Sequence, residues 1–361
     1  MRKGFTLIEL LIAVGLLMFV GMAVAWMLSS AARTWQRGDR LFRVQVKARR
    51  IMGYLERDLE MLFVGPLERY GRTATPRLLC DFAPNLGTQR LRLIRTYPLE
   101  ESPLAQDAGS LLLPRGRIDG IDDSLEALRG DLLPTGGLCE VAWLHTGFNS
   151  QQPFRLYRAL VSPPGGAKSL FRNASLDERF AEVADGVLIF GLQFWSSVTN
   201  TWEQFEPRWN APKSGPLLWW DSTRAASDPF QLSKEAYHLA DRPQSANEPE
   251  DDIYPLCVRV VLVMAERASG VVTRLTRGIS EDGDSIYVDD PKNLRGRKYI
   301  LVDGEVMEIK RTKGRRVLLK ARGLFGTEPA AHKKGAPVRT GAHFVRVIPL
   351  PCGVEDWAAP K

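Results

Sequence analysis

The chain has 361 residues, with 49 Lys and Arg against 42 Asp and Glu, a formal net charge of +7. That length is enough for two modest domains, or one with an appendage. The weak basic balance is spread along the chain, so nucleic acid is not indicated as a partner by charge alone. No Walker A, HExxH, GxSxG or CxxC pattern is present, and the four histidines stand apart at positions 145, 238, 332 and 343, so no enzyme is expected.

The first element is the most telling. Arg2, Lys3, Gly4, Phe5 and Glu9 lead into residues 10–28, nineteen positions without a charged or polar side chain. A run of 18 or more apolar residues suffices for a transmembrane helix. It is also longer than the core of a secretory signal. Arg2 and Lys3 hold the start of the chain on the cytoplasmic side. Glycine beside a scissile bond lets extended backbone approach a protease closely, because it has no Cβ. A carboxylate at Glu9 is disfavoured by roughly 2.5 to 3.5 kcal/mol if it reaches the bilayer centre, so it needs a partner.

These residues resemble the amino terminus of type IV pilins and pseudopilins. The resemblance implies that residues 1–4 are a leader, that prepilin peptidase cuts between Gly4 and Phe5, and that Phe5 becomes N-methylated. Glu9 would then be the fifth mature residue and an assembly determinant. Its partner would be the freed amine of Phe5, on the same helix or on a neighbouring subunit, an attraction of up to about 4 kcal/mol at an effective dielectric near 20.

The helix is expected to continue past the membrane. Between residues 41 and 62, Val44, Ala48, Ile51, Met52, Leu55, Leu59 and Leu62 recur with a period near 3.6, while Arg43, Lys47, Arg50, Arg57 and Asp58 are assigned to the other faces. Gly65 and Pro66 then end it. Residues 5–28 form the transmembrane part and 29–64 the second half. In the resembled family that half packs on the subunit's own globular domain.

Strand signals follow at residues 90–95, 140–144, 154–158, 187–195 and 258–264, rich in β-formers and separated by Gly, Pro, Asn and Asp. The order implies an α+β fold, a long helix on an antiparallel body spanning residues 65–275. Residues 55–59 (Leu, Glu, Arg, Asp, Leu), the strand order and the retained Glu9 resemble the J-type minor pseudopilin of type II secretion. A PilW-like minor pilin of a type IV pilus shares this layout. Either resemblance implies a single-pass inner-membrane protein with a periplasmic body. The implied partners are other minor and major pseudopilins, prepilin peptidase and the inner-membrane assembly platform. A plain anchored ligand-binding protein, for which Glu9 would be dispensable, is the alternative from another class.

Residues 196–255 read as insertions, with Trp195, Trp202, Trp209, Trp219 and Trp220 as core or a partner-facing patch. No cofactor is expected. The acidic residues Glu248, Glu250, Asp251 and Asp252 suit a hard cation such as calcium, but without EF-hand spacing they read as a solvated loop. Residues 276–340 read as a separate small β module, with Asp303 and Gly304 in a tight hairpin turn and His332 as a loop or packing residue. Its densest basic stretch, Lys310, Arg311, Lys313, Arg315, Arg316, Lys320 and Arg322, reads as a solvated hairpin, with a site for an anionic partner as the alternative. Within residues 341–361, the stretch 344–350 echoes 257–263. If those two pair antiparallel, Cys257 and Cys352 lie close; of the three pairings that four cysteines allow, this one is favoured, leaving Cys80 with Cys139, and free buried thiols are the alternative.

Overall fold

The computed structural model describes residues 7–63, 78–83, 88–97, 137–147, 154–162, 164, 169–171, 176–196, 201–203, 217–222, 254–267 and 269–351. It is an α+β protein with one long amino-terminal helix and antiparallel sheets.

Helix α1 spans Leu7–Glu60, 54 residues. At 1.5 Å per residue that is about 80 Å, far more than a bilayer core of about 30 Å requires. Two compact units divide the chain, residues 1–47 and 48–361. In the first, the large apolar side chains described from Leu7 to Leu28 are exposed, as suits a helix that is hydrophobic all round and able to lie in lipid. In the second, Ala48, Ile51, Met52, Leu55 and Leu59 are buried, and so is Leu62 just past the helix. The helix ends by handing the chain to a sheet. The Phe63 amide donates to Ile94 O at 2.9 Å and the Thr96 amide donates to Met61 O at 2.9 Å.

The first sheet contains β1 (Leu78–Ala83), β2 (Thr88–Tyr97), β3 (Gly137–Thr146), β4 (Arg155–Val161), β5 (Phe180–Asp185) and β8 (Leu217–Asp221), in the order β5-β4-β3-β2-β1-β8. Every pairing is antiparallel. Side chains alternate between faces, so Leu91, Leu93 and Arg95 share one face with Val141 and Trp143, their cross-strand neighbours, and with Arg158 beyond Trp143. This face meets α1. The other carries Ala142, Leu144 and Ala159, covered by Leu170 and Phe180.

The second sheet has the order β16-β9-β6-β7, with β6 Val187–Ser196, β7 Thr201–Glu203, β9 Cys257–Ala265 and β16 Gly341–Pro349. The two segments that read alike in sequence are β9 and β16, paired antiparallel from Gly341 opposite Ala265 to Pro349 opposite Cys257. Everything between them forms the third sheet, with β10 (Val271–Arg274), β11 (Ser285–Tyr287), β12 (Tyr299–Val302), β13 (Glu305–Lys313), β14 (Arg316–Ala321) and β15 (Pro337–Arg339) in the order β10-β15-β12-β13-β14-β11. It has its own core of Leu275, Ile286, Val288, Leu294, Ile300, Val302, Met307, Val317 and Val338, among others. The module is therefore an insertion in the β9–β16 hairpin. It starts at Val271 rather than at residue 276, because β10 pairs with β15 inside it.

The module is docked rather than tethered. Phe325 lies over Gly191 of β6, where a Cβ would overlap its ring. Arg297 of the module donates to Gly341 O at 2.7 Å and to Glu266 Oε1 at 2.5 Å.

The reading of residues 196–255 as insertions needs correcting. Within that stretch β7 extends the second sheet and β8 forms an edge of the first, with Trp220 opposite Cys80. Only five residues make β8, and such a short apolar run has no period of its own to announce it.

Candidate functional site

The part of α1 that meets the body is fastened by one carboxylate. Asp58 lies three positions after Leu55 on the buried stripe, and its side chain is 1% exposed. Its Oδ2 accepts from Trp143 Nε1 at 2.8 Å and from Arg158 Nε at 2.8 Å, while Oδ1 accepts from Arg158 Nη2 at 2.6 Å. Arg95 Nε lies 3.4 Å from Oδ1. Asp58 does not fall on another face as the periodicity suggests: positions 51, 55, 58 and 62 follow the helical repeat, and the charge is buried because Trp143 and Arg158 donate to it and Arg95 lies beside it. Glu56, two positions earlier, pairs with Arg346 of β16. Residues 48–60 of α1 are thus held against the first and second sheets.

Ahead of this anchor, α1 carries the apolar residues 10–28 with no carboxylate, lysine or arginine among them. It is long and apolar enough to cross a membrane. Glu9 lies in the first turns of the helix, and Gly4 and Phe5 fall outside the described residues. Residues 1–25 match the family model of the prokaryotic N-terminal methylation motif. That motif marks the chain as a type IV pilin-like prepilin. A search of curated proteins found no match. As a type IV pilin-like protein, the chain has an amino-terminal helix that fits a single-pass inner-membrane anchor, and its motif implies assembly with other pilins.

The cysteines of the prepilin do not pair as expected in the first sheet. Cys80 and Cys139 are buried free thiols on β1 and β3, with β2 between them. Two strand spacings put their backbones roughly 9 to 10 Å apart before any offset along the strands, beyond the reach of a disulfide of about 7 Å. Burial pushes the Cys80 thiol well up and raises that of Cys139 to about 11, so neither is a ready nucleophile. Cys257 is a half-buried free thiol, and Cys352 lies outside the described residues.

Of the tryptophans, Trp220 is buried against Phe194, with ring centroids 5.3 Å apart. Trp195 and Trp202 meet edge to face at 5.2 Å, and the Arg259 guanidinium sits 3.8 Å over the Trp202 ring. Trp209 and the acidic residues 248–252 lie outside the described residues.

The module contains a buried polar clasp that no spacing rule singled out. Glu305 accepts from Arg322 Nε at 2.9 Å, Arg322 Nη2 at 2.7 Å, the Ala330 amide at 3.1 Å and the Gly323 amide at 3.2 Å. His332 Nε2 lies 2.7 Å from Glu305 Oε2. Arg322 also donates to the carbonyls of Ser280, Glu281, Gly283 and Ala330. Burial alone would raise the Glu305 carboxyl; the bonds from His332, Arg322 and Ala330 outweigh it and hold the group below its ordinary value. The clasp ties two loops to the start of β13. Arg322 is thus not one of the solvated basic residues that the sequence suggests: its side chain is 9% exposed.

Proposed function

We propose that the chain is a J-type minor pseudopilin of type II secretion, made as a precursor, cut between Gly4 and Phe5, and methylated on Phe5. Its helix then anchors it in the inner membrane with the body in the periplasm, where it helps to initiate or cap a short filament. The role is one of structure and assembly, without enzymatic turnover and without a cofactor.

The observation that carries the reading is the methylation motif running without a break into a helix of 54 residues. One part of that helix is fully apolar and exposed, and the other is fastened to a folded body. The J-type assignment rests on the resemblance of residues 55–59 and of the strand order; Asp58 within that stretch is the fastening residue. In a filament the exposed apolar part would pack against the helices of neighbouring subunits, with Glu9 facing the amine of Phe5 and setting the register. Its partners would be other minor and major pseudopilins, prepilin peptidase and the assembly platform.

The test is complementation of a strain lacking the gene, with the wild-type chain and with Glu9→Ala. The wild-type chain should restore secretion and co-purify with other subunits, whereas Glu9→Ala should insert in the membrane and fail in both. Restored surface pili without restored secretion would move the protein to a type IV pilus. Full function of Glu9→Ala would remove the filament role and leave an anchored binding protein.

A further inference from the structure

The net charge, weak over the chain as a whole, is concentrated in the inserted module. Residues 271–340 hold 16 Lys and Arg against 9 Asp and Glu, a balance of +7 that equals the formal charge of the entire chain. Within them residues 310–322 contain seven cations and no carboxylate. They form the hairpin of β13 and β14, closed by Gly314 and Arg315 with Gly314 at a positive φ of 58°. A glycine at the first loop position suits the twist of a two-residue hairpin.

The far end of this hairpin projects. β12 pairs with β13 only as far as Glu308, so Lys310, Arg311, Thr312 and Lys313 run past the end of β12 with that edge uncovered. Pairing of Lys313 with Arg316, and of Arg311 with Leu318, puts Arg311, Lys313, Arg316 and Lys320 on one face. Val317 and Leu319 turn to the module core instead. Tyr287 of β11 stands beside Arg316 in the same row, with Arg277 4.9 Å from its ring centroid.

Local carboxylates neutralise little of this. Glu308 pairs with Lys320 and Lys298, and the exposed Asp284 lies 3.8 Å from Arg316. Lys310, Arg311, Lys313 and Arg315 have no carboxylate within ion-pair distance among the described residues, and all four are exposed.

We propose that this projecting ribbon binds the phosphate backbone of a duplex nucleic acid. Alternate residues on a strand stand roughly 6.6 Å apart, so the ribbon offers a regular row of cations rather than one point of charge. A two-stranded ribbon is also narrow enough for a major groove about 12 Å wide, whose rims are lines of phosphates. A membrane surface fits less well, because interfacial binding draws on buried apolar side chains and the described residues of the module expose no large one. Contacts of this kind are independent of sequence and weaken with salt, by about 0.9 in the logarithmic slope per phosphate neutralised.

The proposal stands apart from the filament reading: a chain that binds no duplex would still assemble, and one that does not assemble would still bind. The experiment is fluorescence anisotropy of the full chain in neutral detergent with a mixed-sequence duplex of about 30 base pairs, a length spanning roughly three helical turns. The salt dependence would be measured for the wild type and for two doubly substituted variants. Arg311→Gln with Lys313→Gln should lower the slope by about two and weaken binding several-fold. Lys333→Gln with Lys334→Gln removes the same charge near His332, at the opposite end of β13, and should change the slope little. Both pairs are exposed, and unchanged thermal melting would show that the fold survives. Equal losses in the two variants, no loss in the hairpin variant, or binding to anionic phospholipid vesicles without binding to the duplex would each overturn the assignment.

Discussion

At Asp58 a buried carboxylate receives hydrogen bonds from Trp143 and Arg158 and lies beside Arg95, so the end of the long helix is tied to three strands by one side chain. Removing one partner of such a pair leaves uncompensated buried charge, which costs on the order of 3 to 5 kcal/mol. Asp58→Ala is therefore expected to lose that much in urea unfolding of the full chain in detergent, with Asp58→Asn losing less because it still accepts from Trp143. A loss below about 1 kcal/mol for Asp58→Ala, the size of an exposed pair, would show that the anchor is dispensable. His145 supplies a pH dependence. It is fully buried, and burial pushes its pKa from 6.5 down to about 4 against the opposing bond to Val187 O, 2.7 Å from Nε2. Below pH 6.5 the unfolded chain takes up a proton that the folded chain refuses. The associated stability is thus complete above 6.5 and is lost as the pH falls towards 4, on the order of 3 kcal/mol in all. His145→Gln keeps a donor for Val187 O and should flatten that part of the profile, so the two proteins should converge between pH 7 and 4.5. Parallel loss in both would contradict the assignment. Neither role was legible in the sequence: Asp58 sits among charges at positions 56 to 60, and an isolated histidine in a strand gives no hint of which element will cover it.

Among the elements, α1 was the most readable. Its apolar run and the stripe from Val44 to Leu62 follow from periodicity alone, and every stripe residue named from the sequence is buried. The strands with long runs of β-formers, β2, β3, β6 and β9, were equally plain. Among those missed were β1, β8 and β10, four to six residues each, which are specified by the neighbours they pair with rather than by their own pattern. The tight turn at Asp303 and Gly304 was visible, and both residues have the positive φ that such a turn requires, 46° and 95°. Docking of the module was not visible, because it depends on a missing side chain. Gly191 on β6 leaves room for Phe325, itself held at a φ of 54°. Gly191→Val should force the ring away and cost about 1 to 3 kcal/mol by overpacking. Limited proteolysis should then release a fragment containing residues 271–340 earlier than from the wild type, whereas unchanged cleavage would mean that the module does not depend on this contact.

Across the whole molecule, the arrangement joins an apolar helix suited to lipid with an α+β body and a basic module inserted between two adjacent strands, β9 and β16. The amino-terminal motif and the fold class could be read from the chain because they rest on local chemistry. The basic stretch 310–322 could be read there too, but which of its cations share one exposed face could not, since that follows from the register of β13 and β14. Everything proposed about assembly depends on the residues at the start of the helix being a processing signal rather than an ordinary anchor. The direct measurement is the intact mass and amino-terminal sequence of the membrane-extracted chain, made with and without prepilin peptidase. With the peptidase the chain should begin at methylated Phe5, and without it at Met1. A chain that begins at Met1 in both cases, or beyond the apolar segment, would contradict processing and with it the filament role.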